Sequence, residues 1–201
     1  MGKIIGIAGG IASGKSTVTN FLRKQGFQVA DADAVVHQLQ KPGGRLFKAL
    51  VQHFGQEIIL ENGELNRPLL ASLIFSNPDE QEWSRITQGE IIREELAALR
   101  DQLVQTEAIF FMDIPLLFEQ DYSAWFDETW LVYVDRDVQV ERLMKRDHLS
   151  KNEAEPRLAA QWPLEKKKGL ASHVLDNNGN QNQLLNQVVS LLEGGKQDDR
   201  D

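Results

Sequence analysis

The sequence predicts an α/β fold whose sheet is mostly parallel. Three observations lead to this fold class. Short apolar runs rich in β-branched and aromatic residues alternate with helical patterns, several of the runs end in aspartate, and the first run leads directly through a glycine-rich segment into a helix. Strands that alternate with helices form βαβ units, which place the strands parallel.

Five strands are predicted from apolar runs, which are KIIGIA (3–8), FQVA (27–30), AIFFMD (108–113), TWLVYVD (129–135) and HVLD (173–176). The segment STVTNFLRKQ between the first two runs has the pattern of a helix, and Gly26 stands just past its end, where glycine commonly terminates helices. A chain of 201 residues is long enough to bury a sizeable core as one domain with inserted lobes.

Two regions interrupt the alternation of strands and helices. Between Asn66 and Thr106 no strand pattern occurs, and Ile92, Leu96, Leu99 and Leu103 recur at helical spacing, which predicts an amphipathic helix. The second region, Arg136 to Gly169, is helical and cationic. Its cations are Arg136, Arg142, Lys145, Arg146, Arg157 and Lys166 to Lys168. Within it, Ser150 and Glu153 match a capping box at the start of a helix. Pro156 lies inside that helix and is expected to bend it.

Composition excludes several classes of protein. The net charge is −8 and the sequence pI about 5.1, which argues against broad electrostatic binding to nucleic acid or anionic membranes. No run is long enough to span a bilayer, and the chain contains no cysteine, so we expect a cytoplasmic protein. The polar end of the chain, GGKQDDRD, is predicted to be disordered.

The segment GGIASGKST contains the pattern G-x-x-x-x-G-K-S from Gly9 to Ser16. In such a loop, backbone N–H groups point inward around a phosphate, and the following helix adds its positive end. Lys15 is predicted to reach the β- and γ-phosphates and Ser16 to ligate Mg²⁺. The motif is complete and lies between a predicted strand and a predicted helix, so the fold is a P-loop NTPase-type parallel sheet flanked by helices.

The loop predicts nucleotide binding but leaves the phosphoryl acceptor open. A switch GTPase would also carry an N/T-K-x-D motif for base recognition, and this sequence has none. The chain also lacks the length and added domains of a motor or transporter ATPase. A small-molecule kinase is the simplest interpretation.

Asp31 and Asp33 follow the second predicted strand. In a parallel βαβ unit the carboxyl ends of the strands lie on one rim, so these aspartates are expected near the loop, as are Asp113 and Asp135. A carboxylate on this rim favours a hydroxyl acceptor, because a hydroxyl must lose its proton whereas a phosphate acceptor need not. One aspartate is expected to cap the next helix and the other to be the base; the residues alone do not say which.

The segments GIAGGIASGKST, DADAVVHQL, DIPLLFE, VYVDRDVQVERLMKRD and VLDNNG, taken together, resemble the dephospho-CoA kinase family in order and spacing over nearly the whole chain. The resemblance implies transfer of the γ-phosphate of ATP to the ribose 3′-hydroxyl of dephospho-CoA, the last step of coenzyme A synthesis. It places the general base on Asp33, which would also help Ser16 to hold Mg²⁺, and makes Asp31 structural.

The same resemblance implies the remaining site residues. The residues expected to bind ATP are Gly10, Ile11, Ala12, Ser13, Gly14, Lys15, Ser16, Thr17, Arg146 and Asn177, with Asn177 on the adenine side. Arg142 and Arg146 lie four residues apart on one helical face, where a guanidinium could neutralise charge on the transferring phosphate. ATP, Mg²⁺ and dephospho-CoA are therefore the expected small-molecule partners, with no nucleic acid, membrane or protein partner.

The implied organisation is a single domain of residues 1–201. Its core comprises about 1–64, 107–135 and 170–193, a helical acceptor lobe about 65–106, a lid about 136–169, and a disordered tail 194–201. One position departs from the family: Gln88-Gly89 stands where many members carry His-Pro. Asp113 is left with two interpretations, indirect support of Mg²⁺ or an anchor for the turn at Pro115.

Two other functions remain open from the residues. One is a kinase for a different alcohol, such as a sugar or a nucleoside. The other is a nucleotide-binding regulator with little turnover, although the combination of Lys15, a rim carboxylate and cationic helices argues against it.

Overall fold

The computed structural model describes residues 2–198, and it describes side chains for residues 2–194. The chain divides into two compact units. The first consists of Met1–Ala30 with Val104–Asp201, and the second of Asp31–Leu103.

Five strands and nine helices of four or more residues make up the described part of the chain. The strands are β1 (Lys3–Gly9), β2 (Gln28–Asp31), β3 (Ile109–Asp113), β4 (Glu128–Tyr133) and β5 (His173–Asp176). The helices are α1 (Lys15–Lys24), α2 (Ala32–Leu39), α3 (Arg45–Phe54), α4 (Arg67–Ser76), α5 (Pro78–Thr106), α6 (Arg136–Asp147), α7 (Lys151–Ala159), α8 (Leu164–Lys168) and α9 (Gln181–Asp198). All five predicted strands are confirmed.

The sheet has the order β2-β3-β1-β4-β5, and β1 pairs in parallel with both β3 and β4. The register sets Ile7 of β1 beside Asp113 on one side and Trp130 on the other. Because parallel strands end at the same edge, the end of β1 and the carboxylate that ends β3 lie at one rim. The predicted α/β fold class is confirmed.

The core of the first unit explains why the strands are continuous apolar runs in the sequence. Ile7, Phe111 and Trp130 are buried in the sheet, and Leu22 of α1 and Leu184 of α9 pack against the same cluster. A parallel sheet covered by helices is buried on both faces, so polar and apolar residues do not alternate along its strands.

The second unit is larger than the predicted lobe. It begins at Asp31 rather than near residue 65, so α2 and α3 belong to it. The physical reason is a separate core of Leu50, Ile58, Leu65 and Leu70, which joins α3 to the chain that follows it. The predicted amphipathic helix lies in α5, where Leu96 is buried.

The helices of residues 136–169 form their own small core in the first unit. Val140 and Leu143 of α6 pack against Ala154 and Leu158 of α7. The predicted capping box at Ser150 is confirmed, and the hydrogen bond from the Ser150 side chain lowers the pKa of the Glu153 carboxyl.

The last helix extends beyond the predicted core. Helix α9 continues through residues 194–198, which fall in the predicted disordered tail, while residues 199–201 lie outside the described residues. A helix that has already formed gains one hydrogen bond per added residue, and no proline interrupts this segment. Among the described helices, none combines the length and the apolar character needed to cross a bilayer.

Truncating a buried core leucine should cost far more stability than truncating an exposed one. Leu22 is fully buried, whereas Leu170 is half-exposed in the same unit. We expect Leu22→Ala to lower the free energy of unfolding by about 2–5 kcal/mol, and Leu170→Ala to change it by no more than about 0.5 kcal/mol. Urea unfolding followed by circular dichroism measures both, and equal losses would contradict this placement of the core.

Candidate active site

The glycine-rich loop connects β1 to α1 and is held in a tight curl. Gly10 N–H donates to Ser13 Oγ at 3.2 Å, and Ser13 N–H donates to the Gly10 carbonyl at 3.1 Å. Ala12 and Gly14 have φ of 60° and 94°, both in the left-handed region. Alternation into this region turns successive N–H groups toward one concave side, which is the geometry of an anion site.

Helix α1 adds its amino end to this loop. Its N-cap is Gly14, which has no side chain to cap the helix, so the first N–H groups have no acceptor within the helix. These N–H groups and the positive end of the helix dipole favour a bound phosphate. Ser16, in the first turn, is exposed there.

The carbonyl side of the loop is held by side chains from distant parts of the first unit. Gln139 donates to the Ile11 carbonyl at 2.7 Å, and Ile11 N–H donates to Gln161 at 3.1 Å. The amide of Asn177 donates to the Ser13 carbonyl at 2.7 Å. These contacts leave the loop few ways to turn its N–H groups away from the concave side.

Lys15 forms an ion pair with Asp113, the last residue of β3. Asp113 is buried, and the register of β3 with β1 brings its carboxylate to the loop. The expected rim position of Asp113 is therefore confirmed, and its partner is Lys15. Asp135 lies two residues past the end of β4, at the N-cap position of α6, and its carboxylate accepts a hydrogen bond from the Tyr133 hydroxyl at 2.8 Å.

The two aspartates of the D-A-D segment have different surroundings. Asp31 is the N-cap of α2, and its carboxylate accepts from the Ala34 N–H at 3.1 Å. Asp33 lies in the first turn of the same helix with an exposed side chain. The structure therefore assigns the capping role to Asp31, which the residues alone had left open. Both aspartates belong to the second unit, whereas the loop residues belong to the first.

The two predicted arginines of α6 differ in their contacts. Arg142 donates to the Asn177 carbonyl at 2.9 Å, and Asn177 in turn holds Ser13. Arg146 binds the neighbouring Asp147, with Nε 2.7 Å from Oδ1, and this hydrogen bond lowers the pKa of Asp147 and raises that of Arg146. Although the two arginines share a helical face, only Arg142 of the two is linked to the loop, through Asn177. Arg146 lies half-exposed beside Asp147.

Several residues at this site were not singled out from the sequence. Gln139, Gln161, Lys167 and Glu119 contact the loop or one another across separations of up to 158 residues, and such contacts leave no local pattern. Glu119 stood within the quoted motif DIPLLFE and Gln139 within VYVDRDVQVERLMKRD, but neither was assigned a role. Tyr133 stands in the second motif and was also given no role, although hydrogen bonds to Glu165 and then Asp135 raise the pKa of its hydroxyl.

A glycine-rich loop between the first strand and first helix of a parallel sheet, with a loop lysine on a strand-end carboxylate, defines the class of P-loop nucleotide-binding proteins. Comparison with known proteins narrows the class. The sequence model of the family described as dephospho-CoA kinase matches residues 3–183. The chain belongs to the dephospho-CoA kinase family, and it is therefore an enzyme, a kinase.

The chain is similar to one named relative in sequence and to solved structures in fold. A Streptococcus pneumoniae serotype 4 protein named dephospho-CoA kinase is 89% identical over 201 residues, which is all of both chains. The crystal structure of TT1252 from Thermus thermophilus has a TM-score of 0.78 at 33% identity and covers 96% of this chain and 97% of its own. Dephospho-CoA kinase from Campylobacter jejuni shares the fold, with a TM-score of 0.73 at 22% identity, and covers 97% of this chain and 100% of its own.

A methyl group at Gly14 should disturb the site specifically. An added Cβ would lie 2.1 Å from Nδ2 of Asn177, whereas one at Gly26 would meet nothing within 4 Å; both residues have positive φ, 94° and 90°. We expect Gly14→Ala to weaken ATP binding at least about 10-fold, a loss of about 1.4 kcal/mol. The strain of about 1–2 kcal/mol from a left-handed alanine is common to both variants.

Titration calorimetry with Mg-ATP measures this difference, and Gly26→Ala is the control for backbone strain. Equal affinities in the two variants would show that displacement of Asn177 has no effect on the nucleotide site.

Proposed function

We propose that this kinase transfers the γ-phosphate of ATP to the ribose 3′-hydroxyl of dephospho-CoA, giving coenzyme A and ADP in the last step of coenzyme A synthesis. The observation that carries the proposal is family membership over residues 3–183, and the complete phosphate loop with Lys15 supports it. The proposal includes a cytoplasmic location and small molecules as the only partners.

The loop would bind the phosphates of ATP. The residues proposed for this are Gly10, Ile11, Ala12, Ser13, Gly14, Lys15, Ser16 and Thr17. The first five connect β1 to α1 and the last three form the first turn of α1, which supports the proposal. The ammonium group of Lys15 has three N–H donors, so it can contact Asp113 and phosphate oxygens at the same time. Asn177 is proposed for the adenine side, where its buried amide already holds the loop.

The residues proposed to hold Mg²⁺ are Ser16 and Asp33. Their hydroxyl and carboxylate oxygens are hard ligands that suit this cation, and Ser16 is exposed at the amino end of α1. Mg²⁺ in kinases is held mainly by phosphate and water oxygens, so a site with few protein ligands fits it. When bound, the ion would neutralise charge on the phosphate oxygens.

Asp33 would accept the proton of the acceptor hydroxyl. As that proton moves to the carboxylate, the 3′-oxygen forms a bond to the γ-phosphorus, and the bond from that phosphorus to the bridging oxygen breaks, which releases ADP. The capping role of Asp31 supports this assignment, because only one carboxylate of the pair is committed to the backbone of α2.

Arg142 would neutralise charge on the transferring group. One of its five N–H donors is used on the Asn177 carbonyl, which supports a position close to the loop. Arg146 would contribute from the same helix. We further propose that residues 136–169 act as a lid over ATP and exclude water that would otherwise hydrolyse it.

The helical lobe of about 65–106 would bind the acceptor. Its departure from the family pattern, Gln88-Gly89, lies inside α5, which runs without interruption from Pro78 to Thr106. Gln88 donates to the Ser84 hydroxyl one turn earlier, and nothing lies within 4 Å of a Cβ built on Gly89. The helix therefore accommodates this pair, so the departure is compatible with the proposed acceptor lobe.

The reaction is tested by measuring ADP release from the purified chain with Mg-ATP, with and without dephospho-CoA. We expect ADP formation that depends on the acceptor and a product heavier than the acceptor by one phosphate. Lys15→Ala should abolish turnover, because it removes the cation proposed to contact the transferring phosphate. Acceptor-independent ADP release, or turnover only with a sugar or nucleoside, would overturn the proposed substrate.

Asp33→Asn should lower kcat by about 10²-fold or more, the usual scale for a lost general base. The KM for ATP should change less than kcat, because the loop residues that bind the phosphates are intact and the asparagine side chain keeps one oxygen for Mg²⁺. Asp31→Asn is the matched control, since asparagine caps helices as well as aspartate does and the α2 cap is kept. A larger loss of kcat in Asp31→Asn would reverse the assignment of the two aspartates.

A further inference from the structure

Lys167 is the one lysine of the run KKK that is buried. It lies in α8, its side chain is 0% exposed, and its neighbours Lys166 and Lys168 are both exposed. Burying an ammonium group is strongly unfavourable unless it is paired and hydrogen-bonded. Its position is therefore a feature that needs a physical reason.

The partners of Lys167 come from two other elements. Its Nζ lies 2.6 Å from Glu119 Oε1, and it donates to the carbonyl of Gly9, the last residue of β1, at 3.2 Å. Glu119 Oε1 also accepts from the Trp162 N–H at 3.1 Å. Among the described residues, Glu119 Oε2 is buried without a hydrogen-bond partner, so the carboxylate depends on Lys167 for its compensation.

The contact to Gly9 acts on the first peptide of the phosphate loop. The carbonyl of the Gly9–Gly10 peptide accepts from Lys167, and its N–H donates to Ser13 Oγ. Both polar ends of this peptide are thus held, so its plane cannot rotate without losing a hydrogen bond. Because this peptide is the first of the loop, its orientation determines the direction in which the chain enters the loop.

We propose that Lys167 is a positioning residue for ATP. Its ammonium group, neutralised by Glu119, holds the Gly9 carbonyl outward and so keeps the N–H groups of the loop directed to the phosphates. The proposal rests on the ATP half of the proposed function, and it is independent of the acceptor. It also makes the loop geometry depend on the position of α8 and of the residues just before it, because Gln161, Trp162 and Lys167 all contact the loop or Glu119.

The first experiment compares Lys167→Met with Lys24→Met, which removes the same charge from an exposed position of the same unit outside residues 136–169. Titration calorimetry with Mg-ATP and steady-state kinetics give Kd and both KM values. We expect Lys167→Met to raise Kd and KM for ATP by about 10- to 100-fold, the scale of a lost hydrogen bond to a charged group. The KM for dephospho-CoA should stay unchanged, and Lys24→Met should stay within about 2-fold throughout.

Conservative replacement separates positioning from packing. Lys167→Arg keeps the charge and the donors, so it should restore most of the ATP affinity that methionine removes. An ATP Kd in folded Lys167→Met equal to that of the unaltered chain would overturn the proposal.

A double variant covers the case in which Lys167→Met fails to fold because it leaves Glu119 charged and buried. Lys167→Met with Glu119→Gln removes both charges, so stability measured by thermal unfolding should recover. The Gly9 carbonyl still lacks its donor, so ATP affinity should not recover with it. Recovery of both quantities together would mean that the pair is only structural, and the proposal would fall.

Failure of the proposed function has a different signature. If the unaltered chain binds ATP but does not phosphorylate dephospho-CoA, the substrate assignment fails, while the calorimetric comparison of the variants still decides the role of Lys167.

Discussion

The site depends on one constraint, which is that a loop that turns several of its N–H groups toward a phosphate must turn several of its carbonyls toward protein. Each buried carbonyl then needs a donor, since an unsatisfied one costs about 1–3 kcal/mol. In this chain the donors are side chains from residues 136–177, namely Gln139, Lys167 and Asn177. The residues after β4 are therefore part of the phosphate site, because they complete its backbone hydrogen bonding although they lie 128 to 164 residues away from it in sequence.

The parallel sheet supplies the other half of the arrangement. Strands that end at one rim bring together residues that are distant in sequence, as Lys15 and Asp113 show. Where a strand leads directly into a helix, a capping residue is also required, and Asp31 meets that need for α2. The neighbouring Asp33 thus stands in a first helical turn whose cap is already provided. The D-A-D segment thereby carries one carboxylate with a structural role, Asp31, and one that is proposed as the general base, Asp33.

Much of this could be predicted from the sequence, because the signals were local. The five strands are continuous apolar runs, the loop is a complete motif, and Ser150 with Glu153 is a pattern four residues long. The lower boundary of the second unit could not be predicted, since it follows from how Leu50 and Leu70 pack. The same holds for Lys167, whose burial depends on Glu119 and Gly9, 48 and 158 residues away in sequence. In a run of three lysines, the sequence alone does not distinguish the buried one.

The charged pair beneath the loop also shows why burial energy alone is a poor guide to its purpose. Apolar residues of similar size often hold two segments together as well as a buried ion pair, and at lower desolvation cost. They could not, however, donate a hydrogen bond to the Gly9 carbonyl. A lysine can, and Glu119 compensates the charge that this donor brings into the protein. The donor brings a charge, and the buried charge requires a partner. The pair is therefore better understood as a consequence of the loop's need for a donor than as a device for stability.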